Sequence, residues 1–544
     1  MKLLKVAVAT IAVACAVDAF AAFERTVDNV VALTNALTEL NALGSSSSDR
    51  NKARIWLKKG TYNLSGIYMT STHHLYVSGA SGSGDKGLMA GLGENRGDVV
   101  LLGGGEAGGH GVLKIDDTGN WGVFTVSNLT VTGGWTTQDG GGIRADSKGG
   151  VDYRYLVVSN NYAAGSGYGG GGCCFGRAYN CLFENNRTGN KGGGFYAQGK
   201  RALFGDEVQG VWNSSFKGNT SSMKGGALYL YGGQCVGCEF YGNETSDNSD
   251  EACGGVCVSD VTFDINGGSR QSRVADCTFI GGIGSAIRCI DATETLYVSN
   301  CTVRSVSGKG YGIVAGCDLT DCTLESNTNK LHIVMDCNMN RCVVRLSTLT
   351  EKNYSVDYST TIYSRTNANC RIESNGYVSG AYGALLRKKV MVNCTIVDNN
   401  ALNSNFGRTI DNCALWNCVL WGNRLGSTPR DVRIAYSMVF TNCVFVSSDL
   451  DVADIGADGT VTHDGFGNCR QIAKSALKLV DEPNGNYTPT TRSPLYNKGL
   501  ADDWIVNLVG DKDLAGNQRL FGKGIDIGAY ECQLNPPGFV LSFR

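Results

Sequence analysis

The sequence predicts the all-β class and, within it, one long parallel β-helix, and three observations carry that reading. A short phrase recurs through the middle of the chain: Asn or Asp, then Cys, then a small or aliphatic residue, then an apolar one. It reads Asn180-Cys181-Leu182-Phe183, Asp276-Cys277-Thr278-Phe279, Asn300-Cys301-Thr302-Val303, Asp321-Cys322-Thr323-Leu324, Asn393-Cys394-Thr395-Ile396, Asn417-Cys418-Val419-Leu420 and Asn442-Cys443-Val444-Phe445. Cys277, Cys301, Cys322 and Cys342 are 24, 21 and 20 residues apart, and Cys394, Cys418 and Cys443 are 24 and 25 apart. A fixed period of this length is one supersecondary unit stacked many times. Within each phrase the Cys and the residue two later share a face, because side chains alternate along a strand. Composition agrees: 75 Gly against 6 Pro, with 42% hydrophobic residues, suits short strands joined by tight turns around a filled core. A solenoid grows without a second core, so 544 residues predict one rod and not three or four domains.

The elements follow in order. Residues 1–21 carry a secretory signal pattern: Lys2 and Lys5, an apolar run from Val6 to Val17, and Ala19-Phe20-Ala21 as the cleavage site, so the mature chain is expected to begin at Ala22. No other segment has the roughly 18 apolar residues of a membrane helix. Residues 22–60 predict an N-terminal cap helix and a first strand. Val30, Leu33, Leu37 and Leu40 stand at helical spacing between an Asp28 N-cap and a Gly44 stop, Ser45 to Ser48 form a loop, and Ala53 to Leu57 read as that strand. The helix is expected to cover the open end of the solenoid, whose strand edges would otherwise pair with other chains. Residues 61–470 hold about 16 to 18 coils. Removal of Cys15 leaves 21 of 22 cysteines. Their place in the repeat predicts buried thiols stacked in the core, with an occasional neighbouring pair close enough to oxidise.

A second phrase occupies residues 133–260: Phe183-Glu184-Asn185-Asn186 then Gly192-Gly193-Gly194-Phe195, Phe216-Lys217-Gly218-Asn219 then Gly225-Gly226-Ala227-Leu228, and Phe240-Tyr241-Gly242-Asn243 then Gly254-Gly255-Val256. Phe packs inward at a strand end, Asn makes the turn by side-chain to backbone bonds, and the glycines take backbone angles closed to other residues. This pairing resembles the repeat of polymorphic outer membrane proteins, a family of exported β-helices. Those proteins end in a membrane β-barrel for which this chain has no room.

Near the C-terminus stand Ser493-Pro494-Leu495-Tyr496-Asn497-Lys498-Gly499, Asp513-Leu514-Ala515-Gly516-Asn517-Gln518-Arg519 and Asp526-Ile527-Gly528-Ala529-Tyr530-Glu531. These three ordered motifs resemble the choice-of-anchor Q module, covering 471–532. The resemblance implies a right-handed parallel β-helix on a bacterial surface protein, closed by this C-terminal module. Residues 471–532 are expected to lie across the last coil, with Asp513, Arg519, Asp526 and Glu531 holding the module's own turns. Residues 533–544 form a tail with no sorting motif.

Candidate chemistry is sparse, and no catalytic, cofactor or metal residue is assigned. Net charge is −2 and the pI about 6.3, with Lys and Arg scattered, which excludes a nucleic-acid or anionic-membrane footprint. Gly109-His110-Gly111 resembles a tripeptide of the polygalacturonases, yet the Asn-Thr-Asp partner is absent, Asp116-Asp117 follows the His, and the nearest Arg-Ile is Arg371-Ile372-Glu373. A lyase needs carboxylates on calcium and a base for the proton α to a uronate carboxylate. Asp247, Asp250 and Glu251 form one acidic loop and Asp449, Asp451, Asp454 and Asp458 another, each a solvated loop or a weak calcium site, without an evident Lys or Arg partner. Cys235-x-x-Cys238 with Cys253-x-x-x-Cys257 approaches zinc-ribbon spacing, but an offset of three puts strand residues on opposite faces. The pair Cys173-Cys174 stays unassigned, and His73-His74 reads as a surface or turn pair. The leading expectation, resting on the resemblance, is a secreted or surface protein for adhesion or glycan contact without catalysis. The alternative is a polysaccharide lyase or glycoside hydrolase of the pectate-lyase-like superfamily using one lateral groove. Three or more carboxylates plus an Arg or Lys on adjacent coils of one face would favour the enzyme.

Overall fold

Each turn of the chain runs through three long parallel sheets. A computed structural model describes residues 23–534 except 43–52, 65–68, 72–74, 80–95, 116–122, 146–149, 175, 198–208, 250–251, 266–267, 292–293, 310–311, 351–358, 364, 378–382, 388–389, 402–407, 412, 432–437 and 449–453. The signal pattern, the tail beyond 534, His73-His74, Asp116-Asp117, Asp250, Glu251, Asp449 and Asp451 lie outside the described residues. One coil shows the plan: Gly176–Tyr179 in the first sheet, Leu182–Glu184 in the second, the short Arg187–Thr188, and Phe195–Ala197 in the third. The sheets hold 17, 16 and 13 strands, so the stack is a parallel β-helix with the coil count the period predicts.

The Asn-Cys phrase makes the corner between the first and second sheets. Asn180, Asp276, Asn300, Asp321, Asn393, Asn417 and Asn442 all have φ between 50° and 56°. Asn and Asp tolerate this left-handed conformation better than other side-chain-bearing residues, and it turns the following Cys inward. Cys277, Cys301, Cys322 and Cys342 are at most 2% exposed, as is Leu324 two positions after Cys322, while Thr323 between them is half-buried. The thiols also bridge the corner: Cys277 Sγ donates to Ala275 O at 3.0 Å, Cys301 to Ser299 O at 3.2 Å and Cys322 to Thr320 O at 3.3 Å. Ser214 takes the same place in its coil, donating to Trp212 O at 2.8 Å, and buried Leu129 and Leu156 fill it in two earlier coils, so the position asks for burial and not for cysteine alone. The described cysteines are all buried free thiols.

Phe183, Phe216, Phe240 and Phe279 stack down the second sheet, 4.8, 5.0 and 4.5 Å apart between ring centres. Three residues after Val158, Phe183, Phe216 and Phe240 comes a buried asparagine ladder: Asn161, Asn186 and Asn219 each donate Nδ2 to the next Oδ1 at 3.0 Å, ending on Asn243. Asn375, Asn399 and Asn423 repeat it and end on the carboxylate of Asp431, which also accepts from the Val446 and Ser447 amides. Ladder asparagines thereby satisfy turn amides that burial would otherwise leave unpaired.

At the N-terminal end a helix, Val30–Ala42, buries Leu33, Ala36, Leu37 and Leu40 against the core as expected. Its N-cap is Asn29 and not Asp28, because Asn29 Oδ1 accepts the Ala32 amide at 2.9 Å. The first strand is Phe23–Val27, ahead of the helix, and pairs in parallel with Ala53–Leu57.

The C-terminal module does not lie across the end of the rod. It packs along the flank of the last coils. Ile505, Val509 and Ile525 cover Ala368 and Val392 on the outer face of the first sheet, while Leu477, Tyr487, Leu495, Ile527 and Tyr530 cover Val397, Val419, Trp421 and Val444 on the second. On the second sheet these outward positions, Val397 and Val419, are apolar where the preceding coil carries Glu373 and Thr395. Corner asparagines grip it: Asn369, Asn417 and Asn442 donate Nδ2 to the carbonyls of Val509, Leu500 and Lys498 at 2.7, 2.9 and 2.7 Å. The end itself is closed by a segment before the last strand. Val461 donates to Cys469 O at 3.0 Å, Thr460 bridges Arg470 in antiparallel, and Phe466 stacks on Phe440 at 4.8 Å.

Candidate functional site

The glycine-rich phrase builds a shelf on the outer face of the third sheet. Lys191-Gly-Gly-Gly-Phe-Tyr196 and Lys224-Gly-Gly-Ala-Leu-Tyr229 occupy the same place in successive coils. In this bend Gly192 takes φ 73°, and a Cβ on Gly193 would fall 2.1 Å from Gly226 O, so only glycine lets the coils approach this closely. Residues on either side of the bend, five apart in four coils and four apart at Cys253 and Cys257, form two parallel rows. One row runs Asp139, Tyr168, Lys191, Lys224, Cys253, joined by Gly169 N to Lys191 O and Gly192 N to Lys224 O, both 3.0 Å, and a Lys224 bridge to Cys253. The other runs in register through Arg144, Cys173, Tyr196, Tyr229, Cys257 and Arg288.

The aromatic floor of the shelf is closed. Tyr196 stacks on Tyr229 at 5.2 Å and 11°, Tyr168 leans on Tyr196 at 4.8 Å, and Lys191 Nζ stands 4.8 Å above the Tyr229 ring. Tyr196 and Tyr229 are only 8% and 2% exposed, and burial pushes both phenols up, so they stay protonated. Lys191, Lys224 and Arg288 are half-buried and reach the surface. Burial is the main cause holding Lys224 below the usual lysine range, with Lys191 and Arg288 adding repulsion and Cys257 and Asp247 opposing it. Lys224 therefore holds its proton less tightly than an ordinary lysine. Asp139 faces Tyr196 electrostatically and Asp260 faces Tyr229. Lys191 and Lys224 stand on adjacent coils of this face, with Asp139 two coils before Lys191 and Arg288 two coils after Lys224. Asp247 holds its own loop, accepting the Ser249 amide at 2.8 Å and the Ser249 hydroxyl at 2.7 Å.

Other sequence candidates scatter. His110 follows a short helix, Gly105–Gly108, in the N-terminal coils, and its carbonyl accepts the Trp135 amide. Arg371 pairs with Glu373 at 3.2 Å and donates to Gly485 O and the Tyr530 hydroxyl, so it holds the module. Asp454 pairs with His463 at 3.2 Å, and Asp458 accepts from Thr460, so the second acidic loop keeps its own turn. Among the described residues the one group of three metal-capable side chains is Cys235, Cys238 and Cys277, whose sulfurs lie within 4.8 Å of one another. The left-handed Gly237 turns both Cys235 and Cys238 inward, which overturns the opposite-face argument. Cys253 and Cys257 lie in the shelf instead. Burial in an apolar core raises the Cys235 and Cys238 thiols, so they pack as neutral groups.

The shelf is hard to see in the sequence because its glycines dominate the phrase and the Lys and Tyr at either side of them do not stand out. The recurring Lys, two or three Gly and a Tyr five positions on is the available signal.

No protein family matches the chain in sequence, and no curated protein matches it. In fold it is similar to the A-module of the mannuronan C-5 epimerase AlgE6 of Azotobacter vinelandii, at 13% identity over 77% of this chain and 95% of that chain, TM-score 0.27. It is also similar to a mannuronic acid specific polysaccharide family 6 lyase from human gut microbiota, at 13% identity over 83% and 92%, TM-score 0.28. Pectate lyase Pel9A matches at 12% identity over 91% and 90%, TM-score 0.27. The chain's own long parallel sheets make it an all-β parallel β-helix solenoid.

Proposed function

We propose that the protein is a polysaccharide lyase whose shelf binds an acidic polysaccharide. The observation that carries this is Lys224, half-buried on the shelf with Lys191 one coil before it and Arg288 two coils after it, and with its proton affinity lowered chiefly by burial. Lys191 and Arg288 hold the uronate carboxylate and, by neutralising it, acidify the proton α to it. The Lys224 amine takes that proton, the glycosidic C–O bond at the β carbon breaks, a C=C bond forms in the sugar left behind, and the departing oxygen is protonated from water. No helix among the described residues is long and apolar enough to cross a membrane. The signal pattern and the resemblance of 471–532 to choice-of-anchor Q support export and a surface location.

Incubation with polygalacturonate, alginate and other polyuronates, followed by ultraviolet absorbance of the unsaturated uronyl product, tests the chemistry. Lys224→Met is expected to lower kcat by about 100-fold or more, while Lys191→Met chiefly raises KM. Absence of unsaturated product from every polyuronate would refute the lyase.

The resemblance of 471–532 to choice-of-anchor Q favours one second reading, glycan contact or adhesion without catalysis. Saturable binding without product formation would select it.

A further inference from the structure

We propose that a cleft of about 330 Å³ at the corner between the first and second sheets binds a carboxylate-bearing sugar, independently of the shelf on the third sheet. Arg96, Tyr155, Asn180, Asn213, Ser215 and Lys217 line it. The cleft belongs to the row of left-handed corner residues that further along the rod holds the C-terminal module. Tyr155, Asn180 and Asn213 have φ of 55°, 54° and 47° and stand in successive coils. In the last coils the corresponding amides of Asn369, Asn417 and Asn442 donate to main-chain carbonyls of the module. Farther up, Asn300 bonds Asp276 and Arg341 pairs with Asp321. Among the described residues the Asn180 and Asn213 amides have no hydrogen-bond partner, so this stretch of the row presents the same donors.

Charge and shape define the ligand. Arg96 reaches over the corner to donate to Asn180 O at 3.3 Å, and Lys217 is exposed at the other side. No carboxylate lines the cleft, although Glu239 takes the Ser215 hydroxyl at 3.4 Å and Glu184 is in register with Lys217. Two cations and two amide donors match a carboxylate and hydroxyls. Next to the cleft, Tyr179 and Trp212 stack at 4.9 Å and 14°, half-buried, with Arg154 5.5 Å over the Tyr179 ring. An aromatic plane beside cations is suited to a sugar ring bearing an acid and adds little for a bare anion.

Calorimetry on the full chain carrying Lys191→Gln and Lys224→Gln, which disable the shelf, tests the cleft with trigalacturonate, maltotriose and acetate as probes. Saturable binding of trigalacturonate is expected to persist, with maltotriose and acetate at least about tenfold weaker. Adding Arg96→Gln and Lys217→Gln should weaken trigalacturonate about tenfold or more. Asn213→Gly keeps the left-handed backbone while removing the amide, and should weaken it a few-fold without loss of melting temperature; it decides the matter if the charge variant fails to fold. Loss of all binding in the shelf variant, unchanged binding after the cleft substitutions, or acetate binding as tightly as trigalacturonate would overturn the proposal. Because the shelf and cleft variants are separate, failure here leaves the lyase reading standing, and the converse holds.

Discussion

Replacing Cys322 by Asp is expected to destabilise its coils by about 3–5 kcal/mol, while Thr323→Asp, one residue on, should cost well under about 1 kcal/mol. Cys322 is 2% exposed between Cys301 and Cys342 in the thiol ladder, where an ionised carboxylate would find a carbonyl at Thr320 and no cation. Thr323 points outward on the second sheet, in register with Thr302 and Val343. Coils in a solenoid contact mainly their neighbours, so the damage should be local. Hydrogen exchange should rise in residues 298–345 of the Cys322→Asp protein and stay near wild type in the Thr323→Asp protein. Equal losses from the two substitutions would show that the facing of the phrase is wrong.

The module gives the second large effect. Arg519 is 1% exposed, set among Asp513, Asp526 and Glu531, each 0% exposed. Its guanidinium donates to Gly528 O, lies 3.7 Å from Glu531, and meets the Asn393 amide oxygen at 3.1 Å when that amide is turned to satisfy it. The carboxylates tie turns: Asp513 accepts the Glu531 amide at 2.7 Å, Asp526 the Cys532 amide at 2.7 Å, and Glu531 the Asp526 amide at 2.9 Å. These four residues therefore hold the module together as expected. Arg519→Met should cost about 3–5 kcal/mol and release residues 471–532 from the flank, read by proteolysis of that segment. Burial pushes Glu531 up to about 8 and Asp526 up to about 6. An acid that binds its proton more tightly in the folded state stabilises that state at low pH and loses the contribution as pH climbs toward the folded value. Docking of the module should therefore weaken between about pH 5 and pH 9, and protection of 471–532 that grew over that interval would contradict the assignment.

The repeat was legible because one local rule writes it. A left-handed corner favours Asn, Asp or Gly, with Tyr155 and Arg341 as exceptions, the next side chain is buried and most often Cys, and both recur coil after coil. The inward Phe stack and the asparagine turns followed from the same local logic. The module's position was not legible, since its apolar residues complement Val397, Val419 and Trp421, outward residues that in a strand pattern look like any others. Nor was the Gly237 corner, which lets Cys235 and Cys238 face inward at an offset of three. The shelf needed two facts at once, a glycine bend that brings Lys191 beside Tyr196 and a register that stacks Lys191 on Lys224 across 33 residues.

Lys224 acting as a base whose proton affinity is lowered by its surroundings is the centre of the proposed chemistry, and the pH profile of product release from a polyuronate measures that directly. The expected rate rises with pH to a plateau, with its inflection below that of an ordinary lysine. In Lys191→Gln, which removes one repelling cation, the inflection should move to higher pH. A profile with no inflection in that range, or one that stays in place when Lys191 is neutralised, would contradict it.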